Sequence, residues 1–209
     1  MKIAVIAANG RLGRMFVEEA LKAGHTVRAG VRGDSTLKSH PSLEIVRCDA
    51  TQIDEIKNLI KDQDCVVSCI GHVKGSPAKV QTIATKNIVA AMNEQKISRF
   101  VDVTGTGVRF PGDKITLIDR FLNFGIELID PKRIDDGRRH QKVLQQSDLD
   151  WTTIRVLKLQ NVPAKPFDLA TAGPTKPYVG RREVARAMLK VIKDHSFLTQ
   201  APIITTISK

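Results

Sequence analysis

Apolar positions along the 209-residue chain switch repeatedly between short unbroken runs and longer stretches of helical period. "KIAVIA" near the N-terminus is unbroken, as in a strand covered on both faces. In the following "RLGRMFVEEALKAG", Leu12, Met15, Phe16, Ala20 and Leu21 share one helical face and Gly24 supplies a stop. "HTVRAGV" predicts a second strand and, after a Gly/Asp/Ser/His/Pro loop, "LEIVRCD" a third. Residues 54–61 read as a helix and "DCVVSCIG" as a buried fourth strand. Pro77 stands near the start of a long helix reaching about Glu94, with Ile83, Ile88, Val89 and Met92 inward. "RFVDVTGTG" is a fifth strand ending in a glycine-rich turn, whereas "ITLIDRFLNFGIEL" fits either a helix or a loop plus helix. A helix over 134–146, the strand "DWTTIRVLKL", the helix "GRREVARAMLKVIKD" and a last strand "PIITTI" complete the order. In that last helix Val184, Met188, Leu189 and Ile192 are expected to face inward.

Strands alternating with helices imply an α/β, doubly wound, mostly parallel sheet with helices on both faces. One domain over 1–209 is expected, its C-terminal part forming the substrate pocket. Ligands of such sheets bind at the carboxyl ends of the strands, where strand order reverses. That puts the turns "AANGRLG", "VR", "CD", "IGH" and "TGTG" along one edge.

Composition narrows the class of protein. The apolar fraction of 42% and charged fraction of 26% are those of ordinary globular chains. The apolar runs are far shorter than the roughly 20 residues of a membrane span. No leader pattern opens the sequence, so a cytoplasmic location and no membrane partner are expected. Cys48, Cys65 and Cys69 are an odd set, two of them flanking "VVS", which reads as buried thiols instead of a disulfide or redox pair. The five histidines are scattered without metal-ligand spacing, so no metal is expected. A formal net charge of +11 raises nucleic acid as a partner. The basic residues are dispersed, however, and a single Trp and a single Tyr offer little base stacking. A basic surface around a pocket for a small polyanion is the better reading.

In "AANGRLG", Ala7, Gly10 and Gly13 hold the three glycine positions of a phosphate-binding turn. Bare backbone N–H groups from Asn9 to Leu12, Arg11 included, can approach a diphosphate at a helix N-terminus. Gly10 allows that approach and Gly13 allows tight helix packing, while Ala7 is tolerable if its φ stays negative. A tight turn without a ligand is the plain alternative. NAD sites usually place an acid at the end of the second strand. Here that end carries Arg32, whose guanidinium suits a 2′-phosphate, so NADP(H) is favoured over NAD(H). The alternative is a solvated Arg32 with Asp34 contacting the ribose.

Several motifs together resemble the atypical short-chain dehydrogenase/reductases of the NAD(P)H-binding, NmrA-like group, near the biliverdin-IXβ reductase/flavin reductase proteins. They are "VIAANGRLGR", "VRCDAT", "CIGH", "RFVDVTGTG", "HQKVLQQSDLDWTTIRV" and "GRREVARAMLKVI". The resemblance runs nearly the full length and implies a Rossmann-like fold. It also implies that Asp49 and Ala50 lie against the adenine and that Ile70 and Gly71 line the cofactor. Ala7 departs from the family glycine.

Carbonyl reductases of the wider superfamily use a Tyr-x-x-x-Lys pair as proton donor. On this alignment the pair falls at Arg133 and Gly137, and the only tyrosine, Tyr178, lies elsewhere. A direct hydride acceptor that needs no such relay is therefore expected: a flat, electron-poor small molecule of flavin, quinone or tetrapyrrole type. Candidate wall residues are His72, Thr104, Thr106 and Lys158, with Thr104 also beside the cofactor. Solvated roles for His72 and Lys158 remain open. The alternative is a non-catalytic NADP(H) redox sensor with a protein partner, met through Arg138-Arg139 or Arg181-Arg182.

Overall fold

The computed structural model describes residues 1–73, 75–114 and 116–205. Its elements run β1 (Lys2–Ile6), α1 (Arg11–Lys22), β2 (Thr26–Val31), β3 (Leu43–Arg47), α2 (Ile53–Ile60), β4 (Cys65–Ser68), α3 (Val80–Gln95) and β5 (Arg99–Gly105). Then come α4 (Leu117–Ile129), α5 (Pro131–Gln145), β6 (Asp150–Val156), β7 (Lys158–Gln160), β8 (Asp168–Ala170), β9 (Tyr178–Gly180), α6 (Arg181–Lys193) and β10 (Ile203–Thr205).

Eight strands form one sheet in the order β3-β2-β1-β4-β5-β6-β10-β8, and β7 and β9 pair separately. The main sheet is parallel except for β8, which runs antiparallel to β10. The expected Rossmann-like, doubly wound architecture is what forms, with the switch in strand order between β1 and β4.

The unbroken apolar run of β1 is explained by two cores, one on each face. Ile3 and Val5 pack with Phe16 and Val17 of α1 and with Val184, Met188 and Val191 of α6. Ala4 and Ile6 pack with Ile56 and Leu59 of α2, Ile88 and Met92 of α3, and Leu144 of α5. Complete burial of a side chain such as Phe16 stabilises by roughly 1.5–3 kcal/mol relative to exposure. Cys48 and Cys65 belong to these cores, all three thiols are free, and burial pushes the Cys65 thiol up to about 12.

Two details differ from the pattern reading, and a third settles an open alternative. Ile83 is 38% exposed, because α3 starts at Val80 and turns Val80, Ala84, Ile88 and Ala91 inward instead. "DWTTIRVLKL" is two strands: β6 ends at Val156, and Lys158–Gln160 leaves the sheet to pair with Tyr178–Gly180. From Leu117 on, the ambiguous segment after β5 is the single helix α4. Of the last predicted strand, Thr206 and Ile207 lie outside the described residues.

Candidate functional site

The turns expected to share an edge do so at the carboxyl ends of β1, β2, β3, β4 and β5. At the β1 turn the Gly10 amide donates to the Ala7 carbonyl at 3.0 Å, reversing the chain ahead of α1. That closure drives Ala7 to φ 57°, so the expectation of a negative φ there is overturned. A left-handed alanine costs about 1–2 kcal/mol, which a glycine would avoid. Gly13 packs as expected: a Cβ there would lie 2.4 Å from the Ala7 carbonyl oxygen and 2.8 Å from Ala8 Cα. A Cβ on Gly10 would come within 3.1 Å of the same oxygen. Among the described residues no side chain caps α1, and its first turn contains no acid. The leading amides at Arg11, Leu12 and Gly13 are thus free of a competing anion, and the residues present fit a diphosphate. Arg11 is exposed, whereas the Leu12 side chain belongs to the core.

The Asn9 side chain has a job of its own. Its side-chain oxygen accepts from the Thr36 amide (3.0 Å) and hydroxyl (2.7 Å), and its Nδ2 donates to the Asp34 carbonyl (3.0 Å). The glycine turn is thereby stapled to the loop after β2. Arg32 is exposed in that loop, just past the buried Val31. Asp49 faces it across the edge, and its Oδ1 accepts from the Thr51 amide at 2.9 Å and hydroxyl at 2.8 Å. The Thr51 amide bond, helped by the charges of Arg32 and Arg47, holds the Asp49 carboxyl below its usual range. Ala50 is buried and its carbonyl accepts from Asn87 at 3.2 Å. Ile70 is half-buried, with its carbonyl taking Gln81 Nε2 at 3.3 Å, and Gly71 is exposed.

At the end of β5, Thr104 and Thr106 are buried. The Thr106 hydroxyl accepts from Asn123 Nδ2 at 3.1 Å, which ties it to α4. Helix α5 comes so close that a Cβ on Gly137 would sit 3.0 Å from Val108 Cγ2 and 3.3 Å from Thr104 Oγ1. Gly137, at the position that the resemblance gives to the superfamily lysine, is thus a tight contact, and Arg133, in the tyrosine's place, is exposed.

His72 is neither free nor solvated. Its Nε2 lies 3.0 Å from Asp136 Oδ2, and that fully buried carboxylate also accepts from the α3 amides of Gln81 (2.8 Å) and Thr82 (3.0 Å). Asp136 thus caps α3 from a neighbouring helix, and His72 is held as part of that cap. Lys158 is exposed on β7, with its Nζ 5.5 Å from the centre of the Tyr178 ring. The chain's only tyrosine therefore packs beside this lysine. The basic pairs are largely occupied: Arg138 by Glu127, Arg139 by Asp135, Arg182 by Glu18 and Glu19, and Arg181 by Asn161.

Three buried polar groups escaped the sequence reading. Asp136 is one. His140 pairs with Asp102 at 3.1 Å beside a small polar cavity that Ser68, Gln81 and Thr85 also line. Arg155, fully buried on β6, makes a two-pronged pair with Asp113 (2.6 and 2.7 Å) and lies 4.7 Å from the Phe110 ring centre. The available signal was the i, i+4 spacing of Asp136 and His140 next to Gly137 and Leu144, a helix face whose polar residues must be inward.

With this geometry established, the chain can be set beside known proteins. A family model described as NAD(P)H-binding matches residues 7–195. An uncharacterized chloroplastic protein of Arabidopsis thaliana is 32% identical over 175 residues, 78% of this chain and 60% of its own length. The chloroplastic divinyl chlorophyllide a 8-vinyl-reductase of the same plant is 30% identical over 129 residues, 53% of this chain and 31% of that one. The chain thus spans less than two thirds of either relative. Among solved structures, a short-chain dehydrogenase/reductase of Veillonella parvula in complex with NADP superposes with a TM-score of 0.81 at 15% identity, covering 99% of this chain and 95% of that one. A putative NADH-flavin reductase of Streptococcus pneumoniae gives 0.79 at 20% identity, covering 98% of each.

Proposed function

This chain belongs to the NAD(P)H-binding family, matched over residues 7–195, and from that premise we propose that it is an NADPH-dependent reductase of a flat, electron-poor acceptor of flavin, quinone or tetrapyrrole type. Bound NADPH would supply a hydride, which acceptors of this kind take without a dedicated protein acid. The amides at the start of α1 would hold the diphosphate, at a turn where Gly10 keeps a Cβ away from the Ala7 carbonyl oxygen. Arg32 takes the 2′-phosphate, Asp49 stands on the adenosine side, and Ile70 and Gly71 border the nicotinamide half. Thr104, Lys158 and Tyr178 orient the acceptor.

One observation carries the reading: α5 packs on the end of β5 through a glycine, where a carbonyl reductase needs the lysine of its proton relay. With Thr106 bonded to Asn123 and His72 bonded to Asp136, the edge keeps a cofactor turn, while two of its candidate wall residues are already engaged by neighbouring helices. The names of two similar proteins, a chlorophyllide vinyl-reductase and a putative NADH-flavin reductase, agree with acceptors of this class. The test follows nicotinamide absorbance with purified chain and a panel of FMN, a soluble quinone, dichlorophenolindophenol and biliverdin. At least one acceptor should be reduced, faster with NADPH than with NADH. Tight NADPH binding with no oxidation across the panel would overturn the reductase and favour a redox sensor.

A further inference from the structure

Helix α4 presents an apolar face that the described residues leave exposed. Leu117 is 83% exposed, Phe121 76%, Phe124 60% and Leu128 69%, with Ile118 and Ile129 beside them. The opposite face is anchored: Asp119 is buried against Arg109 at 2.5 Å, and Asn123 bonds Thr106. The orientation is therefore fixed by the protein's own polar contacts, and the apolar face points outward because its back is tied down. A contiguous exposed patch of this kind marks an interaction surface.

The pattern along the helix says what the occupant is. Leu117, Phe121, Phe124 and Leu128 are spaced by four, three and four residues, a heptad seam about three turns long. Arg120 and Glu127 flank this seam on one edge, seven residues apart and both exposed. A helix laid antiparallel across a twofold axis near Asn123 would put Arg120 of one copy against Glu127 of the other, twice. A parallel pairing would set Arg120 near Gly125, which offers no charge. Opposite charges at the same heptad position thus complement themselves only in an antiparallel twofold pair. We propose that α4 is a self-association surface, pairing antiparallel with α4 of a second copy of this chain. A helix of 13 residues is about 20 Å long, so the contact lies at the small end of stable interfaces and gives a concentration-dependent dimer. Glu127 already meets Arg138 at 3.1 Å on the surface, and Arg120 of the second copy completes a three-charge cluster.

This inference does not rest on the reductase reading, and its test has no catalytic readout. Sedimentation velocity of the full chain across a wide concentration range should show a reversible monomer–dimer equilibrium. Phe121→Asp should weaken it at least about tenfold while circular dichroism stays unchanged, and Leu128→Asp serves equally if the first variant does not fold. Arg120→Glu and Glu127→Arg should each weaken the dimer, and the two together should restore it. Four results would overturn the proposal: a monomer at every concentration, a dimer indifferent to both aspartates, no recovery in the double charge reversal, or a monomer that binds phosphatidylserine vesicles through this face instead.

Discussion

Helices α1 and α5 both pack one face against the sheet, yet their buried faces have little in common. That of α1 is Leu12, Gly13, Phe16, Val17 and Ala20, with only Glu19 polar. That of α5 is Ile134, Asp136, Gly137, His140, Gln141 and Leu144. An apolar face needs only to be covered, since burial of apolar area is non-directional. A polar face must meet particular donors and acceptors, because each one left unpaired in the interior costs about 1–3 kcal/mol. For Asp136 and His140 those partners are the amides of α3, His72, and Asp102 of β5, all remote in sequence, whereas the Gln141 amide meets none among the described residues. The same contrast separates the N-terminal half, with its apolar core and exposed polar loop, from the β5–β6 half, whose interior is wired by Asp119, Asp113 and Arg155.

The sharpest way to break this contrast is Arg155→Leu, which leaves Asp113 charged and buried. Chemical denaturation should show a loss of about 3–5 kcal/mol, and Asp113→Leu added to it should recover part of that. A loss under 1 kcal/mol would mean that the C-terminal half is held by apolar packing like the other.

On the N-terminal side, polar groups face solvent and can be removed without disturbing the core. Arg32→Ala should leave the melting temperature unchanged and weaken NADPH by roughly tenfold to a hundredfold, the loss of a charge-assisted pair. NADH affinity should move little in the same calorimetric titration. Equal losses for both nucleotides would remove Arg32 from the 2′-phosphate.

The smallest effect belongs to the turn itself. Ala7→Gly relieves a left-handed alanine and should stabilise the folded chain by at most about 1 kcal/mol, since glycine's unfolded-state entropy offsets part of the gain. A destabilisation on thermal unfolding would show that the Ala7 methyl contributes more than its strain.

The sequence alone determined the strand and helix order, the sheet type and the edge at which the turns collect. Those depend on apolar period and on glycines whose neighbours lie within a few residues. It also showed that the Tyr-x-x-x-Lys pair is missing. Only the tertiary structure decided that His72 is spent on Asp136, that Asn9 staples a loop, and that Lys158 and Tyr178 meet across a separate small sheet. It alone revealed that α4, apolar enough by pattern to be core, turns that face outward because Asp119 and Asn123 claim the inside. Hydrogen bonds and ion pairs are directional and join residues distant along the chain, so periodicity carries no trace of them until the backbone brings the partners within about 3 Å.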